Sequence, residues 1–584
     1  MISLSVYGDP TDACYAAVWV KRPGPAWVAI HGITAAGYQE FFNKQTAQGF
    51  APVLVTATGP ASNAVFAAVF EHNGNGPWFA KHGLISGRED NPSTFQFQSR
   101  WAQQNGFILH SAAIYGTSSD KRYAGVWVKN ATGAHWSWRT ADPASEYQKW
   151  FNAFIQLPYR PAYVTLSTDQ LYLSVFRDDS VGEWVARHGL TSSDYQNEFN
   201  QRTAQGFYPI CVQGEGVGVN TRYAAIFAKE DVPRARQWTV TGQAVPTLAA
   251  FDALVKEYMQ VHSIRAGTLA IAKGGTLKFA RAYTWAEPGY PITQPTSPFR
   301  LASCSKAFTC AAIDALYDAN ALHRDTKVFP LLGITSAALA SQKPDPNINT
   351  ITVQQLVDHA GGWDQGVAKF DPVFSMRKIA QALQLSGPPS KRDLARYMYG
   401  EPLQFVPGTN SKYSNFGYVL LALIVEKVTG HAFIDYLKQT VLTPEGIMDV
   451  FLARTLRNQR LSNESLYDDP GLGLTVLQPT LEQLVPYTYG GEGWATESMD
   501  GGGGLAATAT AMTQFIHRHA VWGIGGRAAG AARSGGMAGT SSLAVSRWDG
   551  VDYAFIFNTR NIPPAASNDF GNKITKLLDT TALP

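Results

Sequence analysis

The stretch Ser303-Cys-Ser-Lys306, which opens a helical pattern over 307–316, decides how the second half of this 584-residue chain is read. A spacing of three puts Lys306 one turn above Ser303 on the same helix face. The start of a helix offers free N–H groups and the positive end of a dipole to the serine. Serine needs a base to become nucleophilic, and a lysine held among apolar groups and other cations has its pKa lowered toward that task. The pattern alone is weak, for it recurs at Ser118–Lys121. Tyr413-Ser-Asn415 follows the turn Pro407-Gly-Thr-Asn and precedes an apolar helix over 416–428; it too has a chance twin, Tyr195-Gln-Asn197. Arg533-Ser-Gly-Gly-Met-Ala-Gly-Thr-Ser-Ser542 leads into a C-terminal strand. The three elements in this order are specific as a set.

Around them the pattern is α+β. Thr247 caps an amphipathic helix over 248–262, and 268–283 is a hairpin turning at Gly274-Gly275. Strands at 541–547 and 553–558 and a helix at 568–579 close the chain, with long helical patterns between. A sheet made from both chain ends, with helices inserted, follows.

The first 230 residues repeat. Tyr15-Ala-Ala-Val-Trp-Val returns as Phe66-Ala-Ala-Val-Phe, Tyr123-Ala-Gly-Val-Trp-Val, Tyr172-Leu-Ser-Val-Phe and Tyr223-Ala-Ala-Ile-Phe. Trp strands follow the first four (Trp27-Val-Ala-Ile-His-Gly, Trp78-Phe-Ala-Lys-His-Gly, Trp136-Ser-Trp-Arg-Thr, Trp184-Val-Ala-Arg-His-Gly), then a helix and a closing strand. Units of about 50 residues cannot bury their apolar faces alone and must stack. The expectation is an N-terminal α/β tandem-repeat array of four units, offset in frame, with strands in an arc or ring and helices outside. His31, His82 and His188 recur one repeat apart and read as structural, with His-Gly suiting a turn of positive φ. Residues 1–230 form this domain, 231–246 with two prolines a linker, and 247–584 the second domain.

Composition excludes several classes. Lys+Arg 48 against Asp+Glu 45 leaves +3, divided as +1 before residue 240 and +2 after it, so neither half carries a nucleic-acid footprint. No apolar run approaches the roughly 20 residues of a membrane helix, and the first residues lack a signal-peptide pattern. Cys14 and Cys211, near the two ends of the array, allow a bridge closing it; Cys304 and Cys310 fall on different helix faces. Asn130-Ala-Thr and Asn463-Glu-Ser are glycosylation sequons that weakly favour export. Histidines and carboxylates show no metal-ligand spacing, so no metal or other cofactor is expected.

Residues 247–584 resemble the serine β-lactamase and penicillin-binding-protein superfamily, in its class C, esterase and DD-peptidase branch. The likeness also runs through Ile351-Thr-Val-Gln-Gln-Leu-Val-Asp-His-Ala-Gly-Gly, the segment from Pro407 to Tyr418, and Gly503-Gly-Leu-Ala-Ala-Thr-Ala-Thr-Ala-Met-Thr. With a repeat domain ahead of it, the combination resembles the fungal polyglycine hydrolases, secreted endopeptidases that cut polyglycine linkers of plant chitinases. The resemblance implies a serine β-lactamase-like fold, an antiparallel sheet flanked by helices. It implies Ser303 as acylated nucleophile, Lys306 and Tyr413 sharing the proton shuttle with the base left open, and an oxyanion hole from the N–H groups of Ser303 and Gly536. Asn415, Arg533, Ser534 and Gly535 would bind substrate. Arg533 stands where the family usually has Lys or His; it cannot lend a proton and would act as fixed charge or as a carboxylate or carbonyl clamp. The chain lacks an E-x-x-L-N loop, so deacylation would use Tyr413 and water. Cys304 reads as packing and His359 as structural; 501–504 reads as a turn beside the cleft, leaving room for an incoming chain.

The implied function is a secreted serine endopeptidase cutting glycine-rich linkers of a target such as a plant class IV chitinase, with no nucleic-acid or membrane partner. Polyglycine has no side chain to grip, so selection would come from a narrow cleft and main-chain bonds to Thr540–Ser546. The repeat domain would hold a folded part of the target through Trp78, Trp101, Trp136, Trp138 and Trp150. The alternatives are an esterase or amidase, including hydrolysis of β-lactams and D-amino peptides, and a non-catalytic binding protein.

Overall fold

A computed structural model describes residues 1–72 and 76–584, and the chain divides into two compact units, Met1–Arg236 and Gln237–Pro584. In the first unit, four three-stranded sheets share one plan: a Trp strand on the outside, the Tyr/Phe strand in the middle, and a largely buried strand inside. The first of these runs Trp27–Ile33, Val65–His72, Phe50–Thr58, with the helix Ala35–Ala47 joining outer to inner strand. A two-stranded sheet, Ser3–Tyr7 with Cys14–Val18, supplies a fifth inner strand.

The inner strands close a ring. Val6 N–H donates to Thr56 Oγ1 (3.2 Å), Val55 N–H to Ser111 Oγ (3.1 Å), Tyr163 O–H to the Ala112 carbonyl (2.9 Å) and Cys211 Sγ to the Val164 carbonyl (3.5 Å). The last strand meets the first: Ser3 Oγ accepts from Val212 N–H (2.9 Å), Ser5 Oγ from Gly214 N–H (3.1 Å), and Gln213 donates to the Leu4 carbonyl (3.0 Å). Serine hydroxyls, and no disulfide, make this closure. Cys14 is exposed and Cys211 buried, and both are free thiols, so the expected bridge is absent. Burial pushes the Cys211 thiol up to about 12, and its sulfur is spent on Val164.

The repeated histidines couple neighbouring sheets. Gln39 and Tyr38 of one helix meet His82 of the next outer strand (2.8 Å, and 5.1 Å between rings); Gln148 and Tyr147 meet His188 in the same way (2.8 and 4.9 Å). Where the third unit has Thr140 in place of histidine, Gln96 donates to its hydroxyl at 3.2 Å. Gly32, Gly83 and Gly189 after the histidines all take φ near +68°, which forces a bulge only glycine tolerates cheaply. Most of the aromatics expected to face a target are engaged within this unit. Trp136 is buried beside Trp138, Trp78 packs on Phe42, and Arg139 covers Trp150 at 3.8 Å; Trp101 is the exposed one of the five.

The second unit is built on one antiparallel six-stranded sheet in the order Gln237–Thr241, Thr276–Ala286, Ala266–Lys273, Val551–Phe557, Thr540–Ser546, Ala531–Met537. Residues 237–241, read as linker, are therefore an edge strand; Gln-Trp-Thr-Val-Thr alternates as a strand does, and prolines at 233 and 246 frame it. Thr247 lies in a 3-10 turn, Pro246–Leu248, and does not cap the helix Ala249–Val261. Helices Ala249–Val261 and Pro564–Thr580 cover one sheet face. The inserted helical region covers the other, with Asn415–Thr429 as its buried centre. Among the described residues, no single helix is long and apolar enough to cross a membrane.

Candidate active site

Ser303 sits in a 3-10 turn, Ala302–Cys304, that runs into the helix Ser305–Asp318. Ala302 takes φ 47°, a left-handed conformation that costs a non-glycine residue on the order of 1–3 kcal/mol. Ser303 is half-buried, while Lys306 one turn on is fully buried. Tyr413 comes from the turn before Asn415–Thr429, where Ser414 Oγ accepts from Gly417 N–H and starts that helix.

The three side chains converge. Tyr413 Oη lies 2.7 Å and Lys306 Nζ 3.1 Å from Ser303 Oγ. Lys306 Nζ also reaches Asn415 Oδ1 (2.8 Å) and the Gly502 carbonyl. Burial, then the Arg533 charge, holds the Lys306 amine well below the usual lysine range. Burial raises Tyr413, against the opposing pull of Ser303 and Arg533. These directions favour the free amine at Lys306 and the protonated phenol at Tyr413. A free amine has two protons and one lone pair. Asn415 Oδ1 and the Gly502 carbonyl can only accept, so in the free-amine form they would take both protons and leave the lone pair for Ser303 Oγ, the third group in reach of Nζ.

Gly535 explains the third motif. A Cβ there would lie 2.2 Å from the Leu301 carbonyl, 2.5 Å from Ser542 Oγ and 3.0 Å from Ser303 N, so only glycine lets this strand approach the nucleophile's turn. Along Ala531–Met537, Arg533, Gly535 and Met537 are buried and Ala532, Ser534 and Gly536 exposed. Two expectations change. Arg533 is no clamp for substrate: it is 1% exposed, and it donates from Nε to the Ser303 carbonyl and from Nη1 to the Val521 carbonyl (2.8 Å each). It braces the nucleophile's turn and supplies fixed charge. Thr540–Ser546 is interior, paired on both sides, so the free edge available to an extended substrate is Ala531–Met537.

The other singled-out residues fall as follows. Cys304 is buried, its sulfur against the Arg533 carbonyl and Ser542 Oγ (3.3 Å each) and its thiol raised by burial, which fits packing and not attack. His359 accepts from Ser414 N–H (3.2 Å), lies against the Tyr413 ring, and is pushed down to about 4 by burial and by Lys306 and Arg533. The 501–504 glycines are buried against the chain's own backbone; a Cβ at Gly501 would meet the Tyr418 carbonyl at 2.5 Å, and one at Gly504 the Thr496 carbonyl at 2.2 Å. They make no room for substrate, and they deliver the Gly502 carbonyl to Lys306. Asn463 is exposed; Asn130 is half-buried with its amide on the Ala134 carbonyl.

Sequence reasoning missed Asp371, which accepts from Asn415 Nδ2 at 2.7 Å. It also missed Trp522, half-exposed, whose ring is covered on one face by Arg533 at 4.0 Å. Neither belongs to a motif. Beside Tyr413 and Asn415 opens a cavity of about 340 Å³ walled by Trp363, Phe370, Tyr397 and Phe416 with Asp371 among its lining. Among the described residues, no cluster of metal-ligating side chains lies at this site.

A beta-lactamase family model matches residues 251–552, just over half of the chain. The chain belongs to the beta-lactamase family. Its second unit thus has the fold of a superfamily of serine hydrolases. A second family model, "polyglycine hydrolase-like, structural repeat", matches 1–22, 24–73, 75–130, 133–177 and 181–230, one segment for each of the five sheets of the ring. Penicillin-binding protein 4* of Bacillus subtilis is 29% identical over 203 residues, 34% of this chain and 40% of that protein. Protein flp of Staphylococcus aureus (strain COL) is 25% identical over 200 residues, 33% of this chain and 36% of that one. The chain therefore spans about two fifths of the length of these curated relatives. Among solved structures, D-amino acid amidase from Ochrobactrum anthropi SV3 aligns with TM-score 0.41 at 15% identity, over 58% of this chain and 100% of that one. The octameric penicillin-binding protein homologue from Pyrococcus abyssi aligns with TM-score 0.39 at 18% identity, over 56% and 77%.

Proposed function

We propose that the protein is a serine endopeptidase that opens glycine-rich segments of a protein substrate through an acyl-enzyme on Ser303. The observation that carries the chemistry is the arrangement at Lys306: a buried Nζ held by Asn415 Oδ1 and the Gly502 carbonyl and 3.1 Å from the Ser303 hydroxyl. Ser303 Oγ bonds to the substrate carbonyl carbon as its proton passes to Lys306. The carbonyl oxygen becomes an oxyanion facing the N–H groups of Ser303 and Gly536. As the C–N bond breaks, Tyr413 gives its proton to the leaving amine and regains one from the Lys306 ammonium. Water attacks the ester carbon next, and its proton passes by way of Tyr413 and Lys306 to Ser303 Oγ as the bond between that oxygen and the acyl carbon breaks. Lys306 is thus the base of acylation and Tyr413 the acid, the division their opposite pKa displacements favour.

Cleavage within a chain is supported by the burial of Lys306 and Arg533 beside the nucleophile. Both are buried, Lys306 against Asn415 and Gly502 and Arg533 against the Ser303 and Val521 carbonyls, so neither presents an exposed grip for a terminal carboxylate. A bare backbone would add to the free edge of Ala531–Met537. The match of the first unit to polyglycine hydrolase-like repeats supports the glycine-rich substrate and, with it, an extracellular target such as a plant class IV chitinase. The cavity beside Tyr413 favours a second reading, a hydrolase of smaller esters or amides that carry a side chain.

The test offers the purified protein a folded substrate with a glycine-rich linker, a p-nitrophenyl ester and nitrocefin. Cleavage of the linker, abolished in Ser303→Ala, is expected. Turnover of the small substrates alone would favour the second reading, and hydrolysis by Ser303→Ala would overturn both.

A further inference from the structure

We propose that Asp371 is a positioning residue for the reaction, fixing the Asn415 amide so that its oxygen, and not its nitrogen, faces Lys306. The proposal rests on the reading of Ser303 as nucleophile and Lys306 as its base. Asp371 opens the 3-10 turn Pro372–Phe374, with Oδ1 accepting from Val373 N–H at 3.0 Å. Its other oxygen lies 2.7 Å from Asn415 Nδ2, and Asn415 Oδ1 lies 2.8 Å from Lys306 Nζ. A chain of contacts at 2.7, 2.8 and 3.1 Å thus runs from Asp371 through Asn415 and Lys306 to Ser303.

A side-chain amide is nearly symmetric in shape but opposite in polarity at its two ends. Rotated by half a turn about χ2, Asn415 would present N–H to Lys306 and compete with Ser303 for the one lone pair of the amine. Burial raises the Asp371 carboxyl, against the pull of Asn415 Nδ2, Val373 N–H and Lys306; in its ionised form it can only accept, so it admits only the Nδ2 end on its side. The acceptor end is thereby turned to Lys306, where it occupies an amine proton. Nothing in the sequence marks Asp371: its neighbours Phe370 and Pro372 belong to no motif, and its partner lies 44 positions away.

The charge of Asp371 also acts on Lys306 directly, favouring the ammonium against the larger effects of burial and Arg533. The other groups facing Lys306 are Tyr413 and Tyr418, whose rings lie 5.0 and 5.7 Å from Nζ, the thiols Cys304 and Cys310, and His359, which senses its charge. Removing Asp371 therefore lowers the pKa of Lys306 further. Since the free amine is the active form, the acid limb of the rate profile moves to lower pH.

The test compares Asp371→Ala and Asp371→Asn with the wild-type full-length chain, using p-nitrophenyl acetate from pH 5 to 9 and counting active sites with a fluorophosphonate. For Asp371→Ala the expectation is a kcat per active site lower on the order of 10–100-fold, KM little changed, and an acid limb displaced toward lower pH. Should that variant not fold, Asp371→Asn carries the test, since it keeps the shape, removes the charge and must displace the limb in the same direction. Unchanged kcat per active site together with an unmoved limb would overturn the proposal: a merely structural role would reduce the count of active sites and leave both alone. Activity surviving in Ser303→Ala would instead sink the underlying reading, so the two failures are told apart.

Discussion

Replacing Gly535 by alanine tests the claim that one missing side chain sets the distance between the edge strand and the nucleophile. The added Cβ would stand 2.2 Å from the Leu301 carbonyl oxygen, where a carbon and an oxygen settle no closer than about 3.3 Å. The strand must then retreat by about 1 Å. Ser542 Oγ, at 2.5 Å from the same Cβ, would also have to leave the Leu301 carbonyl that it now holds at 2.8 Å. Overpacking of this kind costs about 1–3 kcal/mol of stability. The catalytic loss is larger. An oxyanion donor works within about 2.7–3.1 Å of its target, a window narrower than the displacement, and losing one donor raises the barrier by ~2.7–4 kcal/mol. Gly535→Ala should therefore lower kcat for a small ester on the order of 10²–10³-fold. Gly536→Ala is the control: its Cβ would meet nothing nearer than Arg560 Cδ at 3.9 Å, and its N–H remains. Steady-state kinetics on p-nitrophenyl acetate, corrected for active-site count, read the difference. A folded Gly535→Ala enzyme within threefold of wild-type kcat, or no worse than Gly536→Ala, would refute the reasoning.

Two further outcomes follow from buried groups. Lys306 has a folded-state pKa far below its unfolded value near 10.4, so burying it costs stability that is greatest at low pH and disappears as pH rises toward that unfolded value. The melting temperature of Lys306→Met minus that of wild type should fall steadily from pH 7 to 10; a flat or rising difference would contradict a neutral Lys306. In the first unit, Ser3→Ala with Ser5→Ala strands the buried Val212 and Gly214 N–H groups at about 1–3 kcal/mol each. Hydrogen exchange of those two amides should accelerate, and unchanged protection would mean that the serines do not close the ring.

Local spacing made much of the architecture legible. The Tyr-Ala-Ala-Val and Trp-x-x-x-His-Gly signals set the unit and its helix, because each residue repeats the same contact in successive sheets, down to Gln96 meeting Thr140 where histidine is missing. Ser303, Lys306 and Tyr413 were legible because a helix turn fixes two of them and a helix start fixes the third. What stayed hidden depends on pairings distant in sequence. Whether Thr540–Ser546 or Ala531–Met537 borders the cleft is decided by which strand has a second neighbour, and no alternation pattern reports that. Asp371 is defined only by its partner, and Arg533 looked like a ligand because a charge in a motif says nothing of burial. The Cys14–Cys211 pairing failed for a related reason: lying near the two ends of an array does not bring two sulfurs into bonding geometry, and hydroxyls already do that work.

The seam between Ser3–Tyr7 and Tyr208–Glu215 joins positions 209 apart. At a synthesis rate of about 5–20 residues per second, the opening strand waits roughly 10–40 s on the ribosome before its companion exists. Until then the Ser3 and Ser5 hydroxyls and the Leu4 carbonyl, which meet Val212, Gly214 and Gln213, stand open. An open solenoid can lose or gain a terminal module and still fold, but a circle cannot. Insertion or loss of a single module here would abolish the seam outright, which makes the number of modules a fixed property of the molecule.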